Sequence, residues 1–295
     1  MIKKTLYFGN TAVLRIKDRQ LRIIRPEHDD VTVPLEDIGV IMLDHYGISV
    51  SHGVLSSCME YKIALINTNE RHMPAGLLMP LSGNVEQGER FIAQTGVGQA
   101  LKNNLWQQII KAKIRNQAGI LKQLNLPYEP LIKMSKEVMT RDRTNRESLA
   151  ARFYWENLFH PSEFRRNREG KPPNNLLNFG YAILRAVVAR SLISTGLLPT
   201  LGIFHRNRYN AFPLADDIME PFRPFVDIVV RELAEEELEL SRIDNNIRNR
   251  LLEIQAMPVL MEKEVRPLML AADRTCSSLM QCFKGLRKKL VCPEV

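Results

Sequence analysis

The sequence predicts an α+β protein: a small N-terminal β-rich domain over residues 1–85, then a larger, mainly α-helical domain over residues 86–295. Three observations predict this. The first stretch holds short apolar runs with period-two alternation, broken by turn residues. From Glu86 onward, apolar residues recur at spacings of three and four. A chain of 295 residues, 45% hydrophobic and 25% charged, suits two domains of about 100–200 residues each. Those values exclude a disordered or collagen-like chain.

In the first domain, Ala12, Leu14 and Ile16 alternate with Val13, Arg15 and Lys17. Asp18-Arg19 then turns the chain into residues 21–24, which predicts a hairpin. Residues 31–33 and 38–43 read as further strands, and Ser51-His52-Gly53 opens one helix to about Tyr61. Residues 63–66 and 76–79 return to strand, and the texture changes at Leu81-Ser82-Gly83-Asn84. Leu101, Leu105, Ile109, Ile110, Ile114, Ala118 and Leu121 then mark a helix that ends before Pro127. Lys102, Lys111, Lys113, Arg115 and Lys122 lie among them. Residues 165–175 read as a loop, with Gly170, Pro172 and Pro173. Leu177, Tyr181, Leu184, Val188 and Leu192 mark a second helix, ended near Gly196. Residues 222–240 and 247–257 complete the helical part, and no internal repeat is visible.

The net charge of +8 is unevenly placed. Residues 100–210 carry 19 Lys and Arg against 7 Asp and Glu, whereas residues 211–245 carry 3 against 10. A basic third of this size suits a polyanion, because Lys and Arg release counterions condensed on phosphate. Solvated helix faces are the ordinary alternative. The four cysteines, Cys58, Cys276, Cys282 and Cys292, form no C-x-x-C pair. That argues against a zinc site or disulfide framework and for a reduced cytosolic compartment. No apolar run reaches the roughly 18 residues of a membrane helix, and the start lacks the pattern of a secretory signal. The sequence thus implies no membrane.

Three stretches could carry chemistry. On a helix, Glu147 lines up with Ala151, Tyr154 and Leu158 on one stripe. A carboxylate on a buried face must be paired or bind a metal, unless it simply caps its helix or meets an arginine. His205, followed by Arg206 and Arg208, suits a phosphate site in which imidazole binds metal or moves a proton. It also reads as a surface histidine in a basic loop. Asp217 and Glu220, three apart, share a face of a helical turn and are hard-metal donors. Asp216 or Asp217 as a helix N-cap is the competing reading. Together, Glu, His and Asp/Glu among arginines match a divalent-metal site for phosphodiester chemistry.

At these stretches the sequence resembles the integrase of CRISPR adaptation, the universal spacer-acquisition endonuclease family. The matching residues are Asn145-Arg146-Glu147 with Ala150-Ala151, then His205, then Asp217-Ile218-Met219-Glu220-Pro221-Phe222-Arg223-Pro224. The wording from Glu220 to Phe225 is most similar to the type II-associated branch. The resemblance implies Mg²⁺ or Mn²⁺ held by Glu147, His205 and Glu220, which would also be the catalytic residues. Asn145 and Asp217 would support them. Many members have Asp where this chain has Glu220. It implies double-stranded DNA as partner, both a short spacer precursor and the CRISPR repeat, joined by 3′-OH transesterification for antiviral immunity. It implies a homodimer, two of which flank a small dimeric adaptation partner, with contact to further type II CRISPR proteins. The N-terminal domain would serve dimerisation and partner contact, in a prokaryotic cytoplasm. The candidates for DNA contact are Arg141, Arg143, Arg146, Arg165, Arg166, Arg168, Arg206, Arg208 and Arg223.

Two other readings fit the same residues: a metal-dependent, structure-selective DNA nuclease that integrates nothing, and a non-enzymatic basic DNA-binding scaffold. The last twenty residues, with Lys284 and Arg287-Lys288-Lys289, read either as a DNA contact or as a mobile tail, and mobility is the default for a terminus.

Overall fold

Alternation in residues 12–24 produces the hairpin that organises the first part of the chain. After β1 (Lys4–Phe8), strands β2 (Ala12–Lys17) and β3 (Gln20–Ile24) pair antiparallel, with Lys17 opposite Gln20. Asp18 and Arg19 both have positive φ, 50° and 57°, as a tight two-residue hairpin turn requires. Leu14 and Leu21 face inward and are fully buried. Then come β4 (Val31–Pro34), β5 (Ile38–Leu43), β6 (Ile48–Val50), α1 (His52–Glu60), β7 (Ala64–Thr68) and β8 (Pro74–Leu78). They form two four-stranded sheets, ordered β4-β3-β2-β6 and β1-β5-β7-β8. Leu14 and Leu21 from one sheet, Ile38 and Ile41 from the other, and Val54 and Cys58 from α1 share one core.

The computed structural model describes residues 3–70, 72–81, 84–159, 164–167, 169–205, 207–236 and 239–295. Gly83, Arg168 and Arg206 lie outside the described residues. The chain divides into two compact units, Met1–Val85 and Glu86–Val295.

The second unit holds α2 (Gln87–Thr95), α3 (Gln99–Gln123), α4 (Glu129–Glu137), α5 (Arg146–Leu158) and α6 (Asn174–Ser194). It continues with α7 (Pro213–Met219), α8 (Arg223–Glu235) and α9 (Asn245–Glu253). The hairpin β9 (Pro258–Met261) and β10 (Glu264–Pro267) precedes α10 (Leu268–Phe283). The stripe Leu105, Ile109, Ile110, Ile114, Ala118 and Leu121 is wholly buried on α3, which packs against α4, α5 and α8. Helix α6 packs against α7, α8, α9 and α10. By length and composition α6 could cross a membrane, but 78% of its most apolar window is buried inside the protein. It is the core helix of the unit.

The β9–β10 hairpin and α10 add to the helices read from the sequence, and the tail corrects that reading. Residues 290–295 are docked. Leu260 and Glu294 form a β-bridge, Asn116 Nδ2 donates to the Pro293 carbonyl at 2.9 Å, and Val291 is buried. Val295 lies over Gly119, where any Cβ would come within 2.8 Å of it. Backbone pairing and packing outweigh the chain entropy that frees most termini.

Candidate functional site

Helix α3 is the spine of the site. Trp106 and Lys113 lie about two turns apart on one side of it. Asn116 follows one turn later and donates to the Pro221 carbonyl at 2.8 Å, fixing the 3-10 turn Glu220–Phe222 between α7 and α8.

Glu147 stands in the first turn of α5, a position the helix dipole favours for a carboxylate. The chain before it folds back through three left-handed residues, Arg141, Asp142 and Asn145. This brings Asp142 against the helix start, where its carboxylate accepts from the Arg146 and Glu147 backbone amides at 2.8 and 3.0 Å. Asp142, which the sequence reading passed over, therefore does the capping. Asn145 is exposed and makes no side-chain cap bond. Of the expected stripe Tyr154 and Leu158 are buried, Ala151 is only half-buried beside buried Ala150, and Glu147 sits at the edge with 27% of its side chain exposed.

Glu220 enters from the 3-10 turn and is buried. The Lys113 ammonium lies 2.6 Å from Glu147 Oε1 and 2.6 Å from Glu220 Oε2, so one cation joins the two candidate carboxylates. Arg223 Nη1 donates to the other Glu220 oxygen, Oε1, at 2.8 Å. Burial alone would raise the Glu220 carboxyl, but the Arg223 and Lys113 charges outweigh it and hold it at about 2. For Lys113, burial works downward and the two glutamates more than offset it, leaving the ammonium above its ordinary value. Behind this pair the Arg223 guanidinium stacks over the Tyr181 ring at 4.2 Å. The Tyr181 hydroxyl donates to buried Asp227. Burial pushes Asp227 up to about 6 despite the Tyr181 hydrogen bond and the nearby Arg223 charge.

His205 sits in the loop between α6 and α7, and Asp217 positions it. Asp217 is fully buried and accepts from the backbone amides of Ile203, Phe204 and His205 at 2.6, 3.0 and 3.2 Å. Its Oδ1 also lies 2.6 Å from His205 Nδ1. Asp217 thus caps the loop rather than a helix. The loop can curl this tightly because residue 202 is glycine: a Cβ there would meet the His205 carbonyl at 2.5 Å. With Nδ1–H donated to Asp217, the lone pair lies on Nε2. The hydrogen bond to Asp217 is the main cause that raises the His205 pKa, against the effect of burial, with the Asp217, Glu220 and Asp216 charges adding to it. Trp106 meets the imidazole edge-on at 5.7 Å and stacks on Phe204 at 4.2 Å. A cavity of about 440 Å³ opens beside His205, lined also by Lys102, Asn207, Arg208 and Asn210.

Glu147 and Glu220 therefore converge on one point, and His205 is aimed by Asp217. Among the described residues, no three His, Cys, Asp or Glu side chains form a ready-made cation site. The donors nonetheless fit a hard divalent ion. Two carboxylates from separate elements already enclose a cation, and buried Glu220 Oε2 meets the ammonium without an aligned hydrogen bond. Sequence reasoning missed Lys113, Asn116 and Trp106. The available signal was polar Lys113 and Gln117 interrupting an otherwise apolar stripe of α3.

The arginines divide. Arg223 and Arg166 are committed inside: Arg166 donates to Asn174 and Asn178 and lies over the Tyr181 ring at 5.3 Å. Arg146 pairs with Glu137 at 3.0 Å. Arg141, Arg143, Arg165 and Arg208 are exposed.

Fold and geometry define the class first: a two-unit α+β protein whose basic helical unit holds two glutamates converging on Lys113 and, separately, a histidine positioned by Asp217. The chain belongs to the CRISPR associated protein Cas1 family, whose model matches residues 6–263. It is 33% identical over 298 residues to the CRISPR-associated endonuclease Cas1 of Neisseria meningitidis serogroup C, covering 100% of this chain and 97% of the relative. Its fold is similar to that of a casposase bound to integration product, with a TM-score of 0.76 at 18% identity over 98% of this chain and 92% of that one. It is also similar to a chain of a Cas6-RT-Cas1–Cas2 complex, with a TM-score of 0.73 at 19% identity over 97% of this chain and 35% of that longer one.

Proposed function

We propose that the chain is a divalent-metal-dependent DNA integrase and endonuclease that joins short duplex spacer precursors into a CRISPR repeat array. One observation carries the reading: Glu147 and Glu220, from two separate elements, converge on a single cation position. The family, the relative's designation as an endonuclease and the likeness to a casposase bound to integration product support it.

Glu147, Glu220 and His205 Nε2 would hold Mg²⁺ or Mn²⁺. Bound there, the ion supplies Lewis-acid stabilisation of the phosphoryl oxygens and of the attacking and leaving oxygens. Asp217 keeps the His205 ring turned with its free nitrogen outward, and Arg223 fixes the remaining Glu220 oxygen. Exposed Arg208, which lines the cavity at His205, would neutralise backbone phosphate. The incoming 3′-OH oxygen bonds to phosphorus as the repeat strand's own P–O3′ bond breaks. One phosphodiester replaces another, so no protein nucleophile is needed.

In this reading residues 1–85 serve dimerisation and partner contact, and residues 86–295 hold the metal and the DNA. Two dimers flank a small dimeric partner, which the Cas1–Cas2 complexes support. The protein works in a prokaryotic cytoplasm, and its four cysteines are free thiols as a reducing compartment keeps them.

The test is strand transfer: a labelled duplex with 3′-OH ends, a supercoiled plasmid carrying a repeat array, and Mg²⁺ or Mn²⁺, with and without the small partner. Joining that needs metal and is lost in Glu147→Ala, while DNA binding persists, is the expected result. Metal-dependent cleavage with no joining would leave a nuclease. Binding alone, with Mn²⁺ and partner present, would leave a scaffold.

A further inference from the structure

Lys113 is where a lysine would not be expected. It lies on the packed side of α3, 7% exposed, in a stripe of isoleucines. Its ammonium is 2.6 Å from each of two carboxylates that come from α5 and from the 3-10 turn after α7. Those are the two carboxylates that the proposed function gives to the metal. The interior set is electrically closed: two glutamates against Lys113 and Arg223. A divalent ion added to that set would leave two uncompensated positive charges in a poorly solvated place, which is costly. Binding and departure of one resident cation are therefore coupled.

The two resident cations are not equivalent. Arg223 is locked, its planar head stacked on Tyr181 at 4.2 Å and bonded to Glu220 Oε1. Lys113 is a compact charge on a flexible four-carbon stem, and its partner Glu147 keeps 27% of its side chain exposed. The pair thus opens toward solvent on the Glu147 side. The ammonium also meets Glu220 Oε2 without an aligned hydrogen bond. That oxygen has the ammonium as its cation partner, a place another hard cation can take over.

We infer that Lys113 is an internal placeholder for the divalent metal: its ammonium bridges Glu147 and Glu220 in the metal-free protein and is expelled when metal binds. The inference rests on the metal reading of the site. Its consequence is that the metal-free protein keeps the two glutamates spaced around a cation, and that the metal binds against a built-in competitor.

The experiment uses the full-length protein and Mn²⁺ alone. Calorimetric titration of the wild type and of Glu147→Gln first establishes the site: binding to the former that is lost in the latter shows the metal. Amine acetylation read by mass spectrometry then follows Lys113, with exposed Lys133 as the control. Acetylation of Lys113 is expected to be slow in chelator and several-fold faster at saturating Mn²⁺, with Lys133 unchanged. Lys113→Met is expected to bind Mn²⁺ about tenfold more tightly, because the like charge that competes for both carboxylates is gone. Unchanged Lys113 labelling in metal-loaded wild type overturns the placeholder while leaving the metal site standing, as does a folded Lys113→Met with equal or weaker Mn²⁺ affinity. If Lys113→Met does not fold, the wild-type labelling decides. Absence of Mn²⁺ binding to the wild type overturns both readings.

Discussion

Glu220 and Asp227 are both buried, at 5% and 1% exposure, and lie about two helical turns apart near the same arginine. They have opposite acidities, about 2 for Glu220 and about 6 for Asp227. The difference is in the partners. Glu220 has a cation on each oxygen, at 2.8 Å from Arg223 and 2.6 Å from Lys113. Asp227 has the neutral Tyr181 hydroxyl instead, with the Arg223 and Arg166 charges too weak to offset its burial. Burial sets the cost of a charge, and direct pairing decides whether the charge survives. The carboxylate proposed to meet metal is kept ionised. The one behind it, which orients the ring under Arg223, sits near its threshold.

The largest effect is expected where the pairing is removed. Glu220→Gln removes the carboxylate that Lys113 and Arg223 share, leaving Lys113 with Glu147 and Arg223 without its ion-pair partner. Breaking a buried pair this way costs about 3–5 kcal/mol, and joining should be abolished as well. Denaturant unfolding beside the strand-transfer assay reads both. A loss under about 1 kcal/mol would place the Glu220 pairing in the range of exposed ion pairs and dissolve the contrast with Asp227.

Asp227 gives the next largest effect, with a definite sign. Its folded-state pKa of about 6 lies above its ordinary value of 3.8. The folded state therefore holds the proton more tightly. That contribution is fully present below pH 3.8 and is lost as pH rises through about 6, a swing of about 3 kcal/mol at 1.36 kcal/mol per unit. Asp227→Asn cannot ionise, so its stability relative to wild type should improve by most of that amount between pH 4 and pH 7. Unfolding free energies of both proteins across that range check it. A flat difference would mean that Asp227 is as firmly ionised as Glu220.

Asp217 offers a third contrast, a buried carboxylate held by backbone amides rather than by cations. Asp217→Asn keeps the shape but weakens the grip on His205 Nδ1 and on three amides. Mn²⁺ affinity and joining should each fall about 10–100-fold, as for other groups that orient a metal-binding histidine. Wild-type values would show that His205 needs no such support.

These contrasts were unevenly legible in the sequence. The β2–β3 hairpin could be read because alternation and turn chemistry are local, and α6 because its apolar period runs unbroken for about four turns. Glu147, His205 and Glu220 stood out as residue types in order. Lys113 did not, because a lysine among isoleucines reads as a solvated flank until tertiary packing brings two carboxylates to it. Asp142 was hidden for a related reason: its capping depends on three left-handed residues that no periodicity announces. Arg223 and Arg166 read as DNA contacts from charge alone, whereas Tyr181 and the two asparagines that claim them are placed by α6, a helix that charge counting does not consider.

The arginines extend the comparison to its smallest effect. Arg166 is half-buried, and burial lowers its pKa below the ordinary arginine value. Its guanidinium is already bonded to Asn174 and Asn178. Arg208 is exposed, over the neighbouring Tyr209 ring at 4.6 Å and donating to its hydroxyl. A phosphate contact contributes about 0.9 to the slope of log affinity against log salt. Arg208→Ala should therefore weaken duplex binding across sequences and flatten that slope by about one unit. Arg166→Ala should leave the slope alone and act through the Tyr181 side of the site, lowering stability. Salt titrations of DNA binding for the two variants separate them. If Arg166→Ala flattened the slope as Arg208→Ala does, internal pairing would not withhold an arginine from DNA, and partners would matter less for cations here than they do for Glu220 and Asp227.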